Sequence, residues 1–343
     1  MKPIRNTRID FARGIAILIM LLANSAPYVL INEPIPFLIR FLFSTAAPLF
    51  IFLSGYSLNL SFQHNKPKST IIQRALQVLF VAVFIDVFIW NIIPFETFDV
   101  LYLIGFSQLI LIALHTSKSI VKFGVMFLIL ILFGFCLLCL NYTFQIIEHD
   151  FSIYNLTHFS IQSALQRLFF DGWFPLVPWF CISLLGYLAC SFNNDIKKFN
   201  HFFTLGFILL LVSYFLFILF PEWINNPRDK YLEIFYPITP FYGLLLLGLF
   251  SLLIGFINST FEVKSIFVEL GKLSLFVYLM HVIVINFIIT KFTFVMINEY
   301  YTFLLIGIVF IFSIILLTKL ISKMHPYFLQ YKITKPILFL LGL

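Results

Sequence analysis

The chain has 343 residues, of which 61% are hydrophobic and only 11% charged, with 47 Phe and 15 Tyr; its mean hydropathy is +1.03. A soluble domain carries roughly 25% charged residues, so a soluble enzyme, a disordered chain and a disulfide scaffold are excluded, because too little polar surface remains to face water. The expected fold class is all-α: a polytopic membrane bundle surrounded by lipid. The net charge of +7 is spread along the loops rather than gathered on one basic face, which argues for orientation in a membrane and against nucleic acid.

In chain order, the first 26 residues imitate a signal peptide, with Lys2, Arg5 and Arg8 before an apolar run and Ala23, Ser25 and Ala26 after it. Asp10 and Arg13 interrupt that run, so it reads as a retained first helix. A bilayer core takes about 20 apolar residues per helix. On that ruler ten spans are expected, at 11–31, 37–60, 71–93, 99–116, 120–141, 174–192, 202–220, 234–256, 269–290 and 300–321. Breaks carry turn signals such as Asn65-Lys66-Pro67-Lys68 and Asn225-Asn226-Pro227-Arg228. Ten spans put both termini on one side. With that side cytoplasmic, the far side keeps only Arg40, Arg167, Arg228, Lys230 and Lys291 among the basic residues, as the positive-inside rule requires. The chain then forms a single domain over 1–343. The long outer segment 142–173 has helical apolar spacing over 155–170 and is expected to lie flat at the outer interface. Cys136, Cys139, Cys181 and Cys190 all sit in apolar runs and read as buried hydrophobes rather than as a disulfide or metal set.

Ionisable and polar groups at membrane depth are costly, so they are the functional candidates. Asp10 and Arg13 lie one turn apart at the inner end of helix 1 and can pair; the guanidinium suits the phosphates of a nucleotide-bearing donor. Asn24 follows eleven residues on, about 16 Å along the same helix, with Ser25 and Pro27 predicting a kinked, locally open turn beside it. His281 lies ten residues past Gly271, about 15 Å deep, the residue type that most often serves as a general base near neutral pH. Asp86, Asp99 and Asp171 form an outer acidic set. Asp99 and Asp171 are placed to cap helix N-termini, whereas Asp86 is flanked by apolar residues and has no such role. Asp171-Gly172-Trp173-Phe174-Pro175-Leu176-Val177-Pro178-Trp179 predicts an irregular helix entry whose Trp residues suit either an interface belt or the wall of a sugar site. Walker, dinucleotide-type glycine, His-Glu-x-x-His and Gly-x-Ser-x-Gly motifs are absent from the sequence.

Four stretches, in order, resemble the transmembrane acyltransferase superfamily, which includes acyltransferase family 3 and the heparan-alpha-glucosaminide N-acetyltransferase-like family. They are RIDFARGIAILIMLLAN (8–24), PLFIFLSGYSL (48–58), DGWFPLVPWFCISLLG (171–186) and LGKLSLFVYLMH (270–281), with DVLYLIGFS (99–107) a fainter fifth. The Pro-Trp-Phe segment is closer to the N-acetyltransferase branch. The resemblance implies acetyl transfer across the membrane, from acetyl-CoA inside to a sugar of a cell-envelope glycan or glycolipid outside, with no metal; the abundance of Phe, Ile, Lys and Asn points to an AT-rich bacterial source and so to a bacterial inner membrane. Arg13 matches the family Arg on helix 1, and Asn24 stands where family 3 has its catalytic His. The N-acetyltransferase branch has Asn there with a His soon after, yet no His lies between Asn24 and His64.

An amide can donate to a developing oxyanion but makes a poor base, so the resemblance leaves the proton to His281 with Asp171 or Asp99. It assigns Arg13, Arg74, Asp10 and Ser54 to the donor. The missing helix-1 His keeps two other readings open: a carrier or flippase for a small polar or lipid-linked substrate, and a catalytically dead family member.

Overall fold

A computed structural model describes residues 6–30, 35–115, 161–191, 199–220, 234, 240–259, 262–263, 265–292 and 299–328. Among these residues the structure is helical, with no β-strand. The helices are α1 (Thr7–Val29), α2 (Phe37–Phe43), α3 (Ala46–Gln63), α4 (Lys68–Ile85), α5 (Val100–His115), α6 (Ile161–Gln166), α7 (Leu176–Ser191), α8 (Phe199–Leu219), α9 (Pro240–Asn258), α10 (Ile266–Lys272), α11 (Ser274–Val284), α12 (Thr290–Phe292) and α13 (Glu299–Phe328). Single π-helical turns follow α4 (Asp86–Trp90), α6 (Arg167–Asp171) and α11 (Ile285–Ile289).

Thr7–Val29, Phe37–Gln63, Lys68–Trp90, His201–Leu219 and Glu299–Met324 are each long and apolar enough to cross a bilayer. Val100–His115, Leu176–Ser191 and Tyr242–Asn258 are shorter apolar helices, and Ile266–Lys272 with Ser274–Ile289 makes a pair bent by 87°. Apolar helices thus lie in each expected span, as broken or bent pairs at 37–60 and 269–290, except 120–141. That stretch, Cys136, Cys139, Arg228, Lys230 and the part of the outer segment before Ile161 lie outside the described residues. Cys181 and Cys190 are buried and unpaired.

The chain divides into two compact units, one built from residues 1–50 with 193–338 and the other from 51–192. In the first unit, α1 begins where Asn6 Oδ1 accepts a bond from Arg8 N at 3.0 Å, and Asp10 sits in the first turn, where the helix dipole favours a carboxylate. Contrary to the expected open turn, α1 runs unbroken through Pro27 to Val29. Pro27 stands so near the end that the missing N–H affects only the last turn. The expected 37–60 span instead breaks at Ser44-Thr45. Pro48 has no N–H for the Ser44 carbonyl four residues back, and Tyr242 Oη donates to it instead at 2.7 Å. Ser44 Oγ also accepts from Ile234 N at 2.8 Å, so this break is a tertiary anchor. Gly206 of α8 and Gly248 of α9 let those helices cross at close range. Much of the rest of α8 is exposed apolar surface, including Phe207, Leu211 and Phe215, as befits a helix that faces lipid.

In the second unit, α3 and α7 pack through reciprocal glycines. A Cβ on Gly55 would collide with the Ser183 carbonyl, and one on Gly186 with that of Phe52. Asn59 Nδ2 then ties the pair by donating to the Tyr187 carbonyl at 2.6 Å and to Ser191 Oγ at 2.7 Å. Helix α7 has the irregular entry its prolines predict: Val177 is extended (φ −103°, ψ 120°) and the Val177–Pro178 peptide is cis. Trp179, however, is 2% exposed and meets Phe174 edge-on at 4.8 Å, so it packs the core rather than walling a sugar site. Helix α6, which falls in the segment expected to lie at the outer interface, exposes Ile161 and Leu165.

Candidate active site

The site grows from the packing of α1 against α10. Gly14 lies on the backbone of Phe267 and Gly271 on the backbone of Asp10, each so close that a Cβ has no room. Phe11 seals the crossing between Phe267 (5.7 Å) and Phe256 (5.6 Å). At this end Arg13 Nη1 donates to Asp10 Oδ1 at 3.1 Å, the one-turn pair that the spacing predicts, with Asp10 buried and Arg13 partly open.

Beyond Lys272 the chain turns by 87° at Leu273 before α11 begins. The straight ten-residue depth expected for His281 is thereby corrected: only the seven steps from Ser274, about 10 Å, run along one axis. Gly271 and Ser274, a helix-ending and a helix-starting residue type three positions apart, are the sequence signal for that break.

The turn still delivers His281 to Asn24. His281 Nε2 and Asn24 Nδ2 lie 3.0 Å apart, and His281 Nδ1 pairs with the Tyr278 carbonyl one turn back. A carbonyl only accepts, so the ring proton belongs on Nδ1 and Nε2 presents its lone pair. The Asn24 amide donates to that lone pair. His281 is 1% exposed, whereas Asn24 is half-buried and gives the pair its open side. Tyr278, whose ring meets His281 edge-on at 4.7 Å, is the contributor that sequence reading missed, because its part is played by its backbone.

The remaining candidates belong to the second unit. Arg74 is exposed on α4. Ser54 Oγ donates back to the Ile51 carbonyl at 2.8 Å, so its proton is already engaged within α3. Asp99 directly precedes α5, the capping position expected of it, and Leu103 N donates to its carbonyl at 3.2 Å. Asp171 is corrected as a cap: it ends the π-helical turn Arg167–Asp171, and α7 starts only at Leu176. Asp86, unexplained by sequence, is 1% exposed and accepts from Tyr102 Oη at 2.6 Å and from Thr97 Oγ1 at 3.2 Å. Among the described residues no cluster of three or more His, Cys, Asp or Glu side chains could hold a metal ion.

Long apolar helices describe an integral membrane protein, and among them a histidine–carboxamide pair forms a polar centre. The profile of the heparan-alpha-glucosaminide N-acetyltransferase catalytic region matches residues 5–207, well over half of the chain. The chain belongs to that family and is thus a membrane acyltransferase by descent. No curated protein matches it. The matched region includes Arg13, Asn24, Ser54, Arg74, Asp99 and Asp171 but ends before His281, whose place in the site rests on its contact with Asn24 and not on the family match.

Proposed function

We propose that the protein transfers an acetyl group from acetyl-CoA, drawn from the cytoplasmic side, to an amine or hydroxyl of a sugar in a cell-envelope glycan or glycolipid, with Asn24 and His281 at the reacting centre. The observation that carries this reading is the hydrogen bond between these two side chains. It supplies a lone pair and an amide donor side by side, which acyl transfer requires and a transport pathway does not.

In the reaction, the acceptor O–H or N–H displaces the Asn24 amide from His281 Nε2 and gives its proton to that nitrogen as the acceptor attacks the acetyl carbonyl. Asn24 Nδ2–H, released from the ring, donates to the developing oxyanion. The C–S bond breaks, and the departing thiolate of coenzyme A takes up the proton. The Tyr278 carbonyl holds Nδ1–H throughout and stabilises the imidazolium formed in passing.

Arg13 fits the donor's anionic end. It lies partly open at one end of α1, and the eleven-residue rise to Asn24, about 16 Å, is comparable with an extended pantetheine arm. The excess of Lys and Arg on the side expected to be cytoplasmic supports placing Arg13 where acetyl-CoA is supplied.

The test is transfer of labelled acetyl from acetyl-CoA to envelope fractions or amino sugars by purified protein, beside His281→Ala and Asn24→Ala. Transfer by wild type and its loss in both variants supports the proposal. Folded wild-type protein that transfers no label to any fraction overturns it.

A further inference from the structure

Residues 91–99 of the second unit combine strain with restraint. Three non-glycine residues there adopt left-handed backbone: Asn91 (φ 56°), Phe95 (φ 70°) and Phe98 (φ 43°). Asn visits this region readily. A Phe does so at a cost, because its Cβ crowds the neighbouring carbonyl oxygen. Two such residues three apart persist only where the surroundings over-determine them.

The surroundings do so from two sides. On one side Asp86 accepts from Thr97 Oγ1 and Tyr102 Oη, and Tyr102 Oη accepts from Phe95 N at 3.3 Å. On the other, Trp173 N donates to the Thr97 carbonyl at 2.9 Å and Phe174 N to that of Phe98 at 3.0 Å. The carboxylate of Glu96 and the guanidinium of Arg167, each 4% exposed, face one another at 3.7 Å. Gly172 leaves space for Phe98, whose Cβ would lie 2.6 Å from a Cβ at 172. Both partners adjoin π-helical turns, Asp86–Trp90 and Arg167–Asp171, a geometry that recurs at working parts of proteins.

Strain favours release, while the hydrogen bonds and the ion pair oppose it. Breaking a buried ion pair is costly, because it takes compensating charge from a group that has left water. The pair therefore fastens the two segments beside the backbone bonds from Trp173 and Phe174. We propose that residues 91–99 form a sprung strap, closed by the Glu96–Arg167 pair, that lifts as one unit from residues 167–174 when the pair separates and so uncovers the Asp86 carboxylate. The strap is independent of the acetyl-transfer reading.

Amide hydrogen exchange on the full-length protein in detergent tests this, comparing wild type with Arg167→Met. The expected result is that the amides of Phe95, Trp173 and Phe174 exchange at least about tenfold faster, by a common factor, while α3 and α7 keep wild-type protection. Modification of Asp86 by an apolar carbodiimide should rise in step. Phe95→Gly should close more firmly than Phe95→Ala by roughly tenfold, since both lose the ring but only glycine relieves the strain.

Unchanged protection at those three amides in Arg167→Met overturns the proposal. So does an equal loss of protection throughout residues 51–115 and 161–191, which would make the pair ordinary core packing. If Arg167→Met does not fold, Glu96→Gln is read by the same criteria.

Discussion

The Asn24 carboxamide and the His281 imidazole, 257 positions apart in the chain, meet at 3.0 Å, and backbone contacts between the same two segments set that meeting. Gly271 rests on Asp10 and Gly14 on Phe267, so α1 and α10 are locked in register before the chain turns at Leu273 and carries His281 back to α1. The four family-like stretches thus form two packing pairs. Residues 8–24 meet 270–281 in the first unit, and residues 48–58 meet 171–186 in the second through Gly55 and Gly186.

His281 is expected to be the general base. His281→Gln should lower kcat by about 10²- to 10⁴-fold, the usual contribution of a positioned base, with binding of acetyl-CoA unchanged. Measuring kcat beside the thermal shift given by acetyl-CoA separates the two. An equal loss of both would assign His281 to folding or donor binding instead.

Asn24 is expected to act in the transition state. Asn24→Ala should cost about 10²- to 10³-fold in kcat, the scale of one lost oxyanion donor, with little change in KM. Asn24→Asp should be worse than Ala, because its carboxylate offers no donor to the oxyanion and would pair with the imidazolium, holding the ring protonated. A steady-state comparison of the two variants checks the order.

How much of this was legible beforehand follows from which forces sequence patterns report. Apolar runs report lipid burial directly, so the spans at 11–31, 71–93 and 300–321 each contain a long apolar helix. The Asp10–Arg13 pair follows from helical spacing and is present. Asn24 and His281 stand out in the sequence as polar groups within apolar runs, although the 87° turn at Leu273 lies between Gly271 and His281. What stayed hidden depends on backbone groups and distant partners. The Tyr278 carbonyl that sets the His281 tautomer and the Tyr102 hydroxyl that satisfies Asp86 leave no periodicity. Asp171 reads as a cap because a carboxylate ahead of an apolar run mimics one, yet the helix begins only at Leu176, and Val177, ahead of Pro178, is extended.

Arg13 is expected to serve donor binding. Arg13→Ala should raise the KM for acetyl-CoA about tenfold or more, the scale of one charge-assisted hydrogen bond, with kcat held within a few-fold. Arg13→Lys should recover only part of the affinity, since an ammonium lacks the two-pronged geometry of guanidinium toward phosphate. Loss of the acetyl-CoA thermal shift in Arg13→Ala, with the unliganded Tm retained, is the accompanying sign. A KM equal to wild type would remove Arg13 from the donor site.

Gly271 should prove as necessary to activity as the side chains it positions. A Cβ there would fall on the Asp10 carbonyl oxygen, a backbone atom that cannot swing aside as a flexible side chain would. Gly271→Ala must therefore push α10 from α1, with an overpacking cost of about 1–3 kcal/mol. The displacement reaches the site because Leu273 connects α10 directly to the helix that bears His281. The expected result is a lowered Tm together with a fall in kcat larger than the stability loss explains at a temperature where the variant remains folded. Gly243→Ala supplies the control, for a Cβ there meets nothing within 4 Å, and it should leave both quantities near wild type. If Gly271→Ala lowers Tm but keeps kcat, the glycine contact stabilises the helix pair without setting the distance between Asn24 and His281.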